Sequence, residues 1–171
     1  MDRSTKARMK ALLAELDYDF SRFTLGGFAR WLAKRRKRQI NFVPWEMPPN
    51  PSGAWVAGAS QDYIFYDRDA QPIHQTHIKL HEMAHMLCGH PTVRVESEQA
   101  LFLPAEPAIS RVLLRSIHSD QEELEAETLA TLIQGQILRC AGRHELDNAI
   151  SWDRDFAGNF SSYIHTVELD K

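Results

Sequence analysis

Cysteine is scarce in this sequence, and long apolar runs are absent from it. Cys88 and Cys140 are the only cysteines among 171 residues. Two are too few for a disulfide framework, and we expect no disulfide between them. Nowhere do about 20 apolar residues follow one another, as a membrane span requires, and the first residues lack the apolar stretch of a signal peptide. The sequence therefore predicts a cytoplasmic protein that does not cross a membrane.

The rest of the composition is that of an ordinary globular domain, with 43% hydrophobic and 25% charged residues. A chain of this length buries roughly 70% of its unfolded surface on folding. Because such a core needs no metal or disulfide for stability, we expect any bound metal to serve chemistry. No internal repeat is visible, and a single domain over residues 1–171 is predicted.

Positive charge is concentrated at the start of the chain, although the net charge is −3. Residues 1–40 carry 11 Lys and Arg against 4 Asp and Glu, whereas residues 41–171 carry 9 against 19. The basic run Lys34–Arg38 is compatible with a solvated helix end, an acidic partner or nucleic acid. Few aromatic residues interleave with this run, so direct nucleic-acid binding is not expected.

Hydrophobic spacing and breaker residues predict a mixed order of helices and short strands. The expected helices cover 4–16, 24–38, about 74–88 and 120–139, with a loop at 44–53 and strands at Ala54–Ala57 and Asp62–Asp67. The stretch 91–119 is expected to be irregular apart from a helical Ala108–Ile117, and 143–171 is expected to be a packing segment. The pattern predicts an α+β fold.

The strongest chemical signal is the H-E-x-x-H sequence formed by His81, Glu82 and His85 inside the third predicted helix. This spacing places two imidazoles one turn apart on one face, with a carboxylate beside them. His77 and Cys88 fall on the same stripe of the helix. The pattern is typical of a zinc site with an adjacent general base.

A hydrolytic zinc site uses three protein ligands and keeps one position open, so a third ligand is needed from elsewhere. The acidic start of the last predicted helix is the only dense cluster downstream. On a helical wheel Glu122 and Glu125 lie on the apolar arc of that helix, whereas Glu123 and Glu127 lie opposite. The wheel leaves Glu122 and Glu125 as candidates, and Glu125 is also explained as a helix-start carboxylate favoured by the dipole.

The combination of His81–His85 with the later run Glu125–Ala130 resembles the ImmA/IrrE-type metallopeptidase family. That family has H-E-x-x-H in one helix and E-A-x-x-F/L-A at the start of a later one. The resemblance covers about residues 20–140 and implies a mostly helical zincin-like domain with a small sheet before the motif helix. On this basis basic N-terminal helices occupy 1–40 and a zincin core occupies 54–140. The resemblance also implies Zn²⁺ on His81, His85 and Glu125.

With these residues, the expected activity is zinc-dependent hydrolysis of a peptide bond in a specific protein. Glu82 is the expected catalytic base, since it is placed to take a proton from water and return it to the leaving amine. The strand Asp62–Asp67 is a candidate for pairing with an extended substrate at a sheet edge. The resemblance implies that the substrate is a helix-turn-helix transcriptional repressor.

Several assignments stay open at the level of sequence. A non-catalytic module that regulates a transcription factor or toxin by contact is the alternative function. Tyr63, Tyr66 and His118 are candidates for stabilising the transition state. Cys88 is either a further ligand or a small buried side chain at a helix end, and the second reading is favoured.

Overall fold

The computed structural model describes residues 3–47, 51–96 and 118–141. Its helices are α1 (Arg3–Ala14), α2 (Leu25–Arg36), α3 (Pro72–Cys88) and α4 (Asp120–Ala141), and a short 3-10 turn covers Phe20–Arg22. Its strands are β1 (Gln39–Trp45), β2 (Gly53–Ala57), β3 (Gln61–Asp67) and β4 (Val93–Arg94). The α+β class is therefore confirmed. The segments expected at Ala108–Ile117 and 143–171 lie outside the described residues.

The sheet has the strand order β1-β3-β2-β4 and is mixed. β3 pairs with β1 in parallel and with β2 antiparallel, while β2 pairs with β4 in parallel. Because β3 has a partner on both sides, Asp62–Asp67 has no free edge, and its predicted pairing with a substrate strand is wrong. Among the described strands, β1 and β4 form the two edges.

Strand β1 is the main departure from the expected elements. The prolines at 44–53 predicted a loop over that whole stretch, yet β1 continues through Pro44 to Trp45. Proline is tolerated there because β1 lies at an edge, where the missing N–H removes no necessary ladder bond. β4 also falls within a stretch that was expected to be irregular.

The core is formed where α3 and α4 pack against each other and against α1 and α2. Its fully buried members from α3 and α4 are Leu80, Met83, Ala84, Ala126, Leu129, Ala130 and Ile133. Side-chain contacts also join α3 to α4, among them those of His77 and His81 with Glu127. This packing brings the acidic start of α4 to the histidine face of α3.

Two glycines determine how α3 is placed. A Cβ at Gly53 would lie 2.3 Å from Ile78 Cγ2 and 3.1 Å from Glu82 Oε1, so only glycine lets β2 pass this close to α3. At the other end, Gly89 terminates α3 with a φ of 73°, in the left-handed region that favours glycine. Both glycines thus fix the helix that carries the H-E-x-x-H motif.

The basic run after α2 is partly internal. Asp62 on β3 is fully buried, with Oδ2 3.3 Å from Arg36 Nη2 and Oδ1 3.1 Å from Arg38 Nε. Arg38 also donates to the carbonyls of Gly58 and Gln61 at 2.7 and 3.0 Å. Two of the five basic side chains therefore connect α2 to the sheet.

Candidate metal centre

His81 and His85 project from α3 toward α4, one helical turn apart. Their Nε2 atoms lie 3.0 Å apart, and the two rings meet edge to face. His85 is 1% exposed. The motif thus directs two imidazole nitrogens at one point between the helices.

Glu123, in the first turn of α4, supplies a third donor at that point. Its Oε2 lies 3.2 Å from His81 Nε2 and 3.8 Å from His85 Nε2. These three side chains form a His/His/Glu group whose ligand atoms are all within 4.8 Å of one another. Such a group has the donor types and the number that can hold a metal ion.

The structure does not bring Glu125 or Glu122 to this group. Glu125 Oε2 lies 3.3 Å from His90 Nε2, and its other oxygen contacts the Arg8 guanidinium. Glu122 accepts hydrogen bonds from the backbone N–H and the hydroxyl of Ser119 at 2.7 and 2.9 Å, which is the arrangement of a capping box.

Glu125 and Glu122 lie away from this group because of the path that the interface between α3 and α4 takes. The helical wheel centred the buried arc of α4 on its apolar side chains, Ala126 among them. The contact with the histidines of α3 instead follows Glu123, Glu127 and Gln134, which are spaced four and seven residues apart along one stripe of α4. Glu123 was therefore missed, although its spacing of four residues to Glu127 was visible in the sequence.

Glu127 lies one turn further along α4 and was also missed. Its Oε2 lies 3.0 Å from His77 Nε2 and 3.3 Å from His81 Nδ1. A carboxylate on the second nitrogen of a metal-binding imidazole fixes the orientation of the ring. His77 and His81 lie on one stripe of α3. This stripe was the signal in the sequence that a carboxylate on a neighbouring element could face both imidazoles.

The two motif histidines have opposite electrostatic environments. Burial lowers the pKa of His81, but hydrogen bonds to Glu123 and Glu127 outweigh it and raise the pKa to about 10. Burial lowers the pKa of His85 to about 4. At neutral pH without a metal, His81 is therefore an imidazolium and His85 is a neutral imidazole.

Glu123 is held as a carboxylate by the histidines around it. Hydrogen bonds from His118 and His81, in that order, keep its pKa far below the usual range. His118 Nδ1 lies 3.2 Å from Glu123 Oε1, and the His118 ring stacks on His85 with centroids 3.7 Å apart. Of the three candidates named for the transition state, His118 is the one at the centre.

Glu82 lies beside the centre on the β2 side of α3. It is 6% exposed, and the backbone N–H of Trp55 donates to its carboxylate. Burial raises the pKa of Glu82 to about 7, with opposing contributions from His81 and His118. A carboxylate with this pKa exchanges a proton readily at neutral pH.

The remaining predicted residues lie elsewhere. The Tyr63 hydroxyl accepts a hydrogen bond from Gln61 Nε2 at 2.6 Å, and the Tyr66 ring lies 3.5 Å from Lys79 Nζ. Cys88 Sγ contacts Met9 Sδ at 3.7 Å, and burial raises the pKa of this thiol to about 11.

Comparisons of the chain with protein-family models, with curated proteins and with solved structures give no significant match. The likeness to the ImmA/IrrE-type family thus depends on the two sequence motifs and stays a prediction. Within the described ranges, no helix has the length and apolar character needed to cross a membrane.

Proposed function

We propose that this protein is a zinc-dependent metallopeptidase. The observation that carries the proposal is the convergence of His81 Nε2, His85 Nε2 and Glu123 Oε2, with the buried Glu82 carboxylate beside them. Three protein donors with one position left over are typical of catalytic zinc sites. Glu123 takes the place of Glu125, the ligand expected from the sequence. The expected chemistry is unchanged, because both residues offer a carboxylate oxygen.

The donor set fits zinc in type and in spacing. Ligands at about 2.1 Å from a tetrahedral zinc ion lie about 3.4 Å from one another. The three donor atoms lie 3.0, 3.2 and 3.8 Å apart, which brackets that spacing. Two imidazoles also disfavour Mg²⁺ and Ca²⁺, which prefer oxygen ligands alone.

His81, His85 and Glu123 would hold the zinc ion, which when bound would supply polarisation of the scissile carbonyl and an attacking water with a pKa of about 7. Glu82 takes the proton of that water and then donates it to the leaving amine. Burial raises the pKa of Glu82, which favours proton uptake, and the Trp55 N–H holds the carboxylate in place. His118 keeps Glu123 oriented, since it contacts Glu123 Oε1 and the Pro91 carbonyl, the latter at 2.8 Å.

The substrate is proposed to be a specific protein. The motif resemblance favours a helix-turn-helix transcriptional repressor as that substrate. The exposed Lys34, Arg35 and Lys37 offer positive charge to an acidic region of such a protein.

The test compares the wild type with Glu82→Gln and His85→Ala after exhaustive dialysis and zinc add-back. We expect about one zinc per chain in the wild type and in Glu82→Gln, and none in His85→Ala. Cleavage of a proteome-derived peptide library, read by mass spectrometry, is expected from the wild type alone. A wild type that binds no zinc contradicts the proposal.

The same Glu82→Gln variant, tested in cells, also separates catalysis from contact. If Glu82→Gln keeps the biological effect of the wild type in cells, the non-catalytic binding module is the better description. If the effect disappears while zinc stays bound, hydrolysis is required.

A further inference from the structure

A chain of buried polar contacts leads away from the metal centre behind His85. His85 Nδ1 lies 2.8 Å from His90 Nδ1, and His90 Nε2 lies 3.3 Å from Glu125 Oε2. His90 is 9% exposed and Glu125 is 8% exposed. None of these contacts involves the Nε2 atom that His85 directs at Glu123 and His81.

Glu125 is itself held firmly as a carboxylate. Its Oε1 contacts the Arg8 guanidinium and accepts a hydrogen bond from Gln121 Nε2 at 2.8 Å. Gln121 also donates to Thr5 Oγ1 at 3.1 Å. α1 therefore braces the carboxylate that faces His90.

The positions of the protons follow from the Glu125 end of the chain. A carboxylate only accepts hydrogen bonds, so His90 Nε2 must carry a hydrogen. In a neutral ring His90 Nδ1 is then an acceptor, and the facing His85 Nδ1 must be the donor. His85 is left with its lone pair on Nε2.

The His81 end of the chain requires the same arrangement. His81 Nδ1 faces Glu127, and its Nε2 faces both Glu123 and His85 Nε2. Glu123 only accepts hydrogen bonds, so the facing His81 Nε2 carries a hydrogen, and His85 Nε2 beside it is the acceptor with its own hydrogen on Nδ1. Two independent sets of contacts thus select one tautomer of His85.

We propose that His90 and Glu125 are positioning residues that hold His85 as the Nδ1–H tautomer, so that its Nε2 lone pair is ready for the metal. The role in metal binding rests on the proposed zinc site, whereas the tautomer itself does not. Hydrogen bonds of this kind to the second nitrogen of a ligating histidine orient the ring and increase its basicity.

The same residues also form a group with Cys88 whose ligand atoms lie within 4.8 Å of one another. A second cation there is disfavoured because the Arg8 guanidinium already contacts Glu125. The Cys88 thiol is also directed at Met9 Sδ. The positioning role accounts for the burial of His90 and Glu125 without a second ion.

The first experiment is a long-range ¹H–¹⁵N NMR measurement of histidine tautomers in the wild type, metal-free and zinc-loaded. The signals are assigned with His85→Gln and His90→Gln. We expect a hydrogen on Nδ1 of His85 and on Nε2 of His90 in the metal-free protein. A hydrogen on His85 Nε2, or a doubly protonated His90 at neutral pH, overturns the proposal.

The second experiment measures zinc affinity by chelator competition in His90→Leu and His90→Gln. Losing the contact is expected to weaken zinc binding about 10- to 100-fold in His90→Leu. His90→Gln is expected to regain most of the affinity, because its amide both accepts and donates. The matched control is His74→Leu, which removes an exposed histidine at the start of α3 and is expected to bind zinc like the wild type.

The outcomes separate this inference from the proposed function. Equal zinc affinity in His90→Leu and the wild type overturns the positioning role even if the site binds zinc. If the wild type binds no zinc, the proposed function fails, and the tautomers of the metal-free protein still decide this inference. The same NMR measurement decides it if His90→Leu does not fold.

Discussion

Glu123 and Glu125 lie two residues apart on α4 and contact different histidines of the same site. Glu123 faces His81 and His85 on the side where their Nε2 atoms meet, and Glu125 faces His90 on the opposite side of His85. Two residues turn a helix by about 200°, which is why one helix reaches both sides. The two carboxylates therefore have separable roles.

Replacing Glu123 is expected to remove zinc binding. Glu123→Ala leaves two imidazoles, and we expect the dialysed variant to contain less than a tenth of the wild-type zinc by elemental analysis. Glu122→Ala is the matched control, because Glu122 is the adjacent carboxylate but contacts Ser119. That control is expected to keep its zinc and to lose only a little stability, because the capping-box contact with Ser119 is removed. Full zinc content in Glu123→Ala would show that another side chain is the ligand.

The stability of the metal-free protein is expected to depend on pH through His81. Folding raises the pKa of His81 from 6.5 to about 10, despite burial, because of its bonds to Glu123 and Glu127. The stabilisation is fully present below pH 6.5 and is lost as the pH rises to about 10. Urea unfolding at pH 6 to 10 is expected to show a falling free energy of unfolding. His81→Gln should show a much flatter dependence, and an equal slope in both proteins would contradict this assignment.

The ion pairs of Asp62 are expected to matter more than any pair on the surface. Asp62→Ala leaves Arg36 and Arg38 without the fully buried carboxylate and is expected to cost about 3 kcal/mol. Asp69→Ala removes an exposed carboxylate near Arg68 and should change the stability by less than about 0.5 kcal/mol. Urea denaturation of both variants tests the comparison. Similar small losses would mean that the connection between α2 and the sheet is not important for stability.

The end of α3 is expected to require glycine. Gly89→Ala places a side chain at a φ of 73° and should cost about 1–2 kcal/mol, although nothing lies within 4 Å of the new Cβ. Lys37 has a φ of 56° after α2, so Lys37→Gly is the reverse change. It is expected to raise the free energy of unfolding by about 0.5 kcal/mol. Thermal unfolding of both variants measures the two effects. If both substitutions changed the free energy of unfolding in the same direction, backbone strain would be excluded as their cause.

The fold was largely predictable because its helices have local signals. Gly89 ends α3 and Ser119 caps α4, and the four described helices begin and end within two residues of the expected bounds. β1 was not predicted, since its pairing with β3 is formed by residues about 20 positions away. The prolines at 44–53 favoured the prediction of a loop, and the sequence gives no local sign of the long-range pairing that forms β1.

The site was predictable where its geometry is local and less so where it depends on packing. His81, Glu82 and His85 lie on one helix, and their relation follows from helical periodicity. The choice among Glu122, Glu123, Glu125 and Glu127 depends on how α4 is rotated against α3. That rotation directs Glu123 and Glu127 at His81, and it depends on packing between two helices that lie far apart in the sequence.

The contact between α1 and α4 has a consequence for folding kinetics. Thr5 and Gln121 are joined by a hydrogen bond across 116 positions of the chain. At about 5–20 residues per second, a ribosome completes α4 on the order of 10 s after α1. During that interval the apolar face around Met9 lacks its partners on α4. Docking of α1 is therefore a late, long-range step, which slows folding and exposes the nascent chain to aggregation or chaperone binding.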